Sequence, residues 1–369
     1  MTQGQIEIQI IGAVVAAACA LPGTFLILRK MAMMSDAISH SILPGIVLGF
    51  FLTNDLNSPL LIFAAAATGV LTVVLVEMLF STRLVKEDAA IGIVFPVLFS
   101  VGVILIARFA GDVHLDIDAV LLGELAFAPF DRLIVSGYDL GPRSLYVMGL
   151  VGMLNATFIA LFYKELKLAT FDSGLAAVLG FAPAFVHYGL MTLVSVTAVA
   201  AFDAVGSILV VALMIGPPAT AYLLTNRLAH MLIASVVIGL MAAIGGYWVA
   251  HALDASIAGA MAGMIGVIFA IVYLVAPEHG ILAGLRRHVR QKWLFAEKML
   301  TIHLFNHEGL PEAAVESRID HLEEHLSWSP EFARRVVRKA KADSLIKQTD
   351  GRLELTNEGR ALAEEAIVE

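Results

Sequence analysis

Residues 228–275 read LAHMLIASVVIGLMAAIGGYWVAHALDASIAGAMAGMIGVIFAIVYLV. Two apolar runs flank the polar break Asp254-Ala255-Ser256, and neither run holds a Lys, Arg, Asp or Glu. Each is about 20 residues long, enough for a helix to cross a hydrocarbon core of ~30 Å. No polar stripe recurs along them, which excludes the amphipathic helices of a soluble all-helical protein.

The same pattern recurs upstream. It predicts spans near 6–28, 36–53, 58–80, 89–107, 144–163, 185–202, 204–225, 228–251 and 256–275. Several contain helix-breaking residues, such as Pro22-Gly23, Pro44-Gly45, Pro96 and Gly216-Pro217-Pro218. Breaks of this kind need neighbouring helices to satisfy the freed backbone groups, so a bundle is expected. Small residues at Ala64–Ala67 and from Gly259 to Gly266 fit close helix approach.

Composition agrees. The chain has 369 residues, 59% of them hydrophobic and only 15% charged, against about 25% charged in soluble domains. Mean hydropathy is +0.84. Residues 286–369 hold about half of the charged residues in under a quarter of the length, so the sequence predicts a membrane domain over 1–285 and a soluble domain over 286–369. Residues 1–9 lack the basic start of a cleavable signal, so the first apolar run is expected to remain as a span. Cys19 lies inside that run and reads as core.

Basic residues after alternate spans set the orientation. Arg29/Lys30, Arg83/Lys86, Lys164/Lys167, Arg227 and Arg286/Arg287/Arg290/Lys292 fall on one side, with the N-terminus outside and the tail inside. Arg108, Arg132 and Arg143 fall on the other side and oppose this assignment. The semi-apolar segment 110–143 reads as a short extra helix or a re-entrant piece.

Ionisable residues inside spans are functional candidates. Asp36 and His40 in SDAISHSILPG are four apart, which stacks them on one helix face. A carboxylate with an imidazole suits a borderline divalent ion such as Mn, Fe or Zn. The same residues also read as a helix start, with Ser35 or Asp36 as cap and His40 on a backbone carbonyl. With Asp36 near the cytoplasmic end of its predicted span, the depth of the pair is open. Asp203 is a second metal candidate and equally an outer turn residue. His114, Asp116 and Asp118 alternate in a polar outer segment and read as solvated loop, and His251 and Asp254 as interfacial.

The stretch Arg29 to Phe51, RKMAMMSDAISHSILPGIVLGFF, resembles the signature of the ABC-3 family of metal-importer permeases. KEDAAIGIVFPVLFSVGVILI (86–106), TFDSGLAAVLG (170–180) and AVGSILVVALMIGPPATAYLLTNR (204–227) follow in the family's order, so the resemblance covers nearly all of 1–280. It implies an all-α polytopic bundle of eight or nine transmembrane helices, of the type II ABC importer kind, in a bacterial inner (plasma) membrane. It implies a transported divalent metal as the only ligand, with Asp36 and His40 lining its path. Mn2+ leads because no Cys stands near an O/N pair, and Zn2+ and Fe2+ remain open. It implies as partners ABC ATPase subunits, an extracytoplasmic metal-binding protein and a second permease, identical or paralogous. Phe171, Asp172, Ser173, Gly174, Ala177 and Gly180 would then belong to a short helix docking into the ATPase, with Asp172 or Ser173 as its cap. No Gly-x-x-x-x-Gly-Lys-Ser/Thr occurs, so the chain is expected to be no enzyme itself.

Beyond 291 the pattern predicts helices over about 292–307, from Pro311 to Leu326 and from Ser329-Pro330 to Ile346. A hairpin over Lys347–Thr356 and a last helix over Asn357–Ile367 follow. The run from Ser344 to Ala363 resembles the winged-helix domain of the iron-dependent repressor family. Arg334, Arg335, Arg338 and Lys339 form a candidate phosphate-contacting face. The domain is nearly neutral, however, so nucleic acid is not expected as a partner. His303/His307 and His321/His325 are i,i+4 pairs on successive predicted helices, readable as a regulatory metal site or as solvated histidines. The competing reading of the whole chain is a membrane-anchored metal-responsive regulator acting through the tail.

Overall fold

The computed structural model describes residues 2–54, 58–109, 125–135, 138–278, 280–311, 313–349 and 351–368. The chain forms two compact units, Met1–Gly280 and Ile281–Glu369.

The first unit opens with α1 (Gln3–Leu28). Thr2 and Gln5 form a reciprocal capping box at its start. After a short turn come α2 (Met33–Ser41) and α3 (Leu43–Thr53), separated by Ile42. Pro44 lies in the first turn of α3, where it cannot donate to the carbonyl of His40, and this interrupts the ladder between the two helices. Next are α4 (Pro59–Ser81) and α5 (Glu87–Phe109).

Residues 110–124, with His114, Asp116 and Asp118, lie outside the described residues. Of the segment expected to hold a short extra helix or a re-entrant piece, the described part begins at Leu125. The chain makes a 3-10 turn over Ala128–Phe130 and an antiparallel ribbon of β1 (Arg132–Val135) and β2 (Tyr138–Pro142). Arg132 fixes this ribbon, since its guanidinium donates to Asp139 at 2.8 Å and to Glu7 of α1 at 3.1 Å.

The unit continues with α6 (Arg143–Leu161), α7 (Tyr163–Phe171), α8 (Ser173–Val178), α9 (Pro183–Val205), α10 (Ser207–Leu224), α11 (Leu228–Leu253) and α12 (Ile257–Val275). Among the described residues, nine segments are long and apolar enough to cross a membrane, with α2 and α3 together making one.

Helix α1 is central and packs against α6, α9, α10 and α11. A second group, α2 to α5, packs on itself, and α9 and α10 both reach α2. Lipid is as apolar as Leu, so close packing and interhelical hydrogen bonds must hold such helices together. Asn155 of α6 donates to the Ala18 carbonyl at 3.0 Å and to Thr197 of α9 at 2.8 Å, joining three helices. Ser195 of α9 donates to the Ala66 carbonyl of α4 at 3.0 Å, and Thr24 of α1 to Ser235 of α11 at 3.2 Å. All these side chains are buried.

The second unit holds α13 (Ile281–His307), α14 (Ala313–Glu316), α15 (Ile319–His325), α16 (Pro330–Ala342), the hairpin β3 (Ile346–Thr349) and β4 (Arg352–Leu355), and α17 (Asn357–Val368). Leu300, Leu304, Leu322, Val336, Ile346 and Leu353 are at the heart of its core. Three boundaries differ from the sequence reading. The first helix begins at Ile281. The helix expected from Pro311 to Leu326 is split at Ser317-Arg318, because those residues pair with the hairpin: the Leu353 N–H donates to the Ser317 carbonyl at 2.9 Å, and Arg318 bridges Arg352. The third helix stops at Ala342 rather than Ile346. Ser344 turns left-handed at φ 58°, and Ile346 already pairs with Leu355.

Packing this close makes one glycine testable. A Cβ on Gly246 of α11 would stand 2.4 Å from the backbone Cα of Met261 in α12, whereas one on Gly263 meets nothing within 4 Å. Gly246→Ala is expected to destabilise the unit by about 1–3 kcal/mol through overpacking, with Gly263→Ala near neutral. Denaturant unfolding of the purified protein in detergent measures both.

Candidate metal path and coupling surface

The nine residues of α2 are mostly buried: Met34, Ser35, Ala37, Ile38, Ser39 and Ser41 face the bundle. Asp36 and His40 are the exceptions, their side chains 36% and 34% exposed. With exposed Met33 they form the open stripe of the helix, at spacings of three and four. The His40 Nε2 to Asp36 Oδ1 distance is 3.5 Å. On α5, Phe95 and Phe99 flank the imidazole at centroid distances of 6.1 and 6.4 Å. One apolar wall thus stands beside two polar donors. The carbonyl to which Pro44 cannot donate belongs to His40, on the same turn.

Contacts with α4 fix the height of this stripe. Ile38 abuts Gly69, and Ser41 shares a 2.6 Å hydrogen bond with Thr72. Both partners lie at the middle of the 23-residue α4. The pair therefore sits level with the centre of a spanning helix, although it opens its own segment.

Asp203 does not join them. It is exposed near the C-terminal end of α9, just before the left-handed Gly206 at φ 80°. Among the described residues, Asp36, His40 and Asp203 do not converge into a group of three donors within one chain. His251 stacks on Tyr247 at 6.2 Å near the end of α11, and Asp254 is its left-handed C-cap.

The coupling candidate forms a compact exposed feature. Of the two residues offered as cap, Asp172 takes the role, accepting from the Leu175 N–H at 2.8 Å. The turn after α8 closes at Gly180, left-handed at φ 86°. Only Ala176 is buried within α8. Phe171, Leu175, Val178 and Leu179 are exposed, Val178 at 85%. Ser173, Gly174 and Ala177 share this open surface. Exposed apolar residues contiguous on one short helix mark an interaction surface.

A polar cluster that sequence reasoning missed lies beside it. Arg29, the C-cap of α1, donates from Nε to Thr170 of α7 at 3.2 Å, and its Nη1 lies 2.8 Å from His187 Nδ1. His187 of α9 pairs in turn with Glu77 of α4. The signal was present, since Glu77 and His187 are ionisable residues inside apolar runs.

In the second unit, Arg334, Arg335 and Arg338 are exposed on α16. Arg335 pairs with Glu331, and Lys339 is held by Glu297 at 2.6 Å and Asp343 at 3.0 Å. The expected basic face is therefore partly neutralised from within. His303, His307 and His325 do come together, joined by Glu316.

Residues 5–277 match the ABC 3 transport family, and the chain belongs to that family. It is 48% identical over 361 residues to the zinc transport system membrane protein TroD of Treponema pallidum (strain Nichols), covering 97% of both chains. It is 48% identical over 271 residues to the manganese transport system membrane protein MntD of Bacillus subtilis (strain 168), covering 73% of this chain and 92% of that one. Among solved structures it resembles PsaBC from Streptococcus pneumoniae in complex with Fab. That likeness has a TM-score of 0.62 at 29% identity and covers 76% of this chain and 94% of that one.

Replacing Glu77 with Ala removes the anionic partner of a partly buried cationic cluster. Hydrogen bonds to charged groups contribute about 1.5–3 kcal/mol, and a loss of that size is expected in unfolding measurements on the Glu77→Ala protein.

Proposed function

We propose that this chain is the membrane permease subunit of a bacterial ABC importer for a divalent transition metal. Its membership of the ABC 3 transport family and its likeness to zinc and manganese transport membrane proteins support that class. The chain is no enzyme itself, and a separate ATPase subunit supplies the energy. The observation that carries the site assignment is the open stripe of α2, two metal-type donors at bundle mid-height on an otherwise buried helix.

Asp36 and His40 make half a coordination sphere. A transition ion needs four to six ligands, so a second permease, identical or paralogous, facing this stripe supplies the rest. An extracytoplasmic binding protein delivers the metal. Mn2+ is the first choice because the donors are oxygen and nitrogen without thiolate, with Zn2+ and Fe2+ as competitors. Asp203, far from this pair along α9, serves at the outer mouth if it touches metal at all.

The exposed helix α8 docks into the ATPase. Its movement reaches the metal stripe by a short physical route: Thr170 at the end of α7 holds Arg29, and Arg29 precedes α2 by four residues. The same guanidinium contacts His187 at the start of α9, which packs on both α7 and α8.

The second unit sits in the cytoplasm, by the positive-inside rule. Its helices, its β3–β4 hairpin and the Ser317–Leu353 link fit a winged-helix arrangement. We assign it a regulatory or protein-contact role, since two of the four basic residues of α16 are engaged by acids. The relatives lend no support to a membrane-anchored regulator as the main activity.

Uptake of labelled Mn, Zn and Fe by cells with and without the gene tests the class and the metal together. Asp36→Ala and His40→Ala are each expected to reduce uptake at least tenfold with normal membrane levels. Normal uptake by both variants removes the site assignment. For the docking surface, Val178→Asp touches no packing in this chain. It is expected to reduce co-purification of the ATPase subunit at least tenfold while leaving thermal stability unchanged.

A further inference from the structure

The last turns of α13 present His303 and His307 one turn apart, Glu316 ends α14, and His325 ends α15. One donor atom from each of these four residues lies within 4.8 Å of the other three. The imidazole centroids of His303 and His307 are 4.9 Å apart, those of His303 and His325 5.7 Å, and those of His307 and His325 6.1 Å. From this geometry we infer a second metal site in the chain, a three-histidine, one-glutamate site for a zinc-class divalent ion, separate from the Asp36–His40 path.

Two buried polar atoms point to a ligand. Glu316 is only 7% exposed, yet its Oε2 has no hydrogen-bond donor among the described residues. The Nδ1 of His307 is likewise buried without a partner. Leaving a buried carboxylate oxygen and an imidazole nitrogen unsatisfied is costly. A dication held between them satisfies both.

The surrounding contacts orient the donors. His303 Nε2 lies 3.2 Å from the Glu316 backbone carbonyl. The same Nε2 lies 3.5 Å from Glu316 Oε2, so this edge of the imidazole faces the carboxylate of the cluster. His321 Nε2 lies 3.0 Å from the other oxygen, Glu316 Oε1, and is outside the four-donor group. His321 thereby positions a ligand rather than acting as one, and Glu316 takes the place that a purely histidine-based reading gives it.

The donor set selects the ion class. Three imidazoles and one carboxylate suit Zn2+, with Co2+ as its spectroscopic substitute, and disfavour an oxygen-loving ion such as Mg2+ or Ca2+. Donors at about 2.0–2.1 Å from a tetrahedral ion stand about 3.4 Å from one another. Closing the cluster to that size takes about 1 Å of side-chain rotation. Occupancy ties the end of α13 to α14 and α15 and stiffens the junction that precedes the Ser317–hairpin link.

The test uses the full-length protein carrying Asp36→Ala and His40→Ala, stripped with chelator and held in lipid nanodiscs, so transport-site metal cannot contribute. Zn2+ is titrated in competition with a chromophoric chelator, and Co2+ by its visible absorption. One tight Zn2+ equivalent and an intense tetrahedral Co2+ band are expected. Glu316→Gln keeps the shape of the residue, and His307→Ala removes a side chain whose Nδ1 makes no hydrogen bond. Each is expected to weaken Zn2+ at least tenfold and alter the Co2+ band, with the near-UV circular dichroism of Trp293 and Trp328 intact. His288→Ala, an exposed histidine of α13, is expected to bind as the parent does. The inference is overturned if the parent takes up no tight equivalent, or if both Glu316→Gln and His307→Ala bind with parental affinity. Either result leaves the transport reading untouched, because that site is absent from every protein in the titration.

Discussion

Within a membrane, a polar atom that meets neither water nor another polar atom is expensive, and the first unit is arranged around that constraint. Several of its buried side chains reach neighbouring helices: Asn155 bonds α1 and α9, Ser195 α4, Thr24 α11 and Ser41 α4. Against that background the open face of α2 stands out. Its imidazole and carboxylate reach each other only at 3.5 Å and leave most of their hydrogen-bonding capacity unused. Polar groups at mid-bundle with capacity to spare fit a water path or an ion, and the proposed metal path rests on them, whereas the transport class rests on the family.

Shortness is what gives α2 its position. Had α2 and α3 formed one unbroken helix, the ladder would have tied the His40 carbonyl to residue 44. Pro44 forbids this. The tie to Thr72 then holds α2 against the centre of α4, while Arg29 anchors the preceding turn to α7 and α9. One end of the α1–α2 connection is therefore fixed to α7, which leads into the exposed helix α8, and the other leads into the helix that carries Asp36 and His40. Hydrogen-bonded or packed neighbours connect α8 with α2 at every step.

Much of this was legible in the residues. Each predicted span has a helix within a few residues of its stated bounds, because period-free apolar runs of this length have few other solutions in a membrane. The spacing of Asp36 and His40 placed them on one face without further information. Three things were not legible. The depth of α2 depends on contacts with Gly69 and Thr72, far away in sequence. Glu77 and His187 carry meaning only once the fold sets them side by side, with Arg29 on the other ring nitrogen of His187. The segment around 128–142 reads as semi-apolar, but its ribbon is fixed by Arg132 reaching Glu7, a partner 125 residues away. In each case local pattern was right about chemistry and silent about partner.

Unit two shows the same limit from the other side. The histidine spacing at 303/307 and 321/325 suggested two matched pairs, yet three histidines gather with Glu316 in one four-donor group while His321 lies beside Glu316 outside it. The cause is the break at Ser317-Arg318. A continuous helix from Pro311 to Leu326 would have carried Glu316 and His321 on nearly opposite phases of one rod. Pairing Ser317 and Arg318 with β4 ends α14 at Glu316 and restarts the chain at Ile319 in a new direction, which lets Glu316 face both helices that bear histidines. The hairpin and the histidine cluster are therefore coupled through two residues. Anything that tightens the cluster acts on the β3–β4 hairpin, and any partner that pulls on the hairpin acts on the cluster.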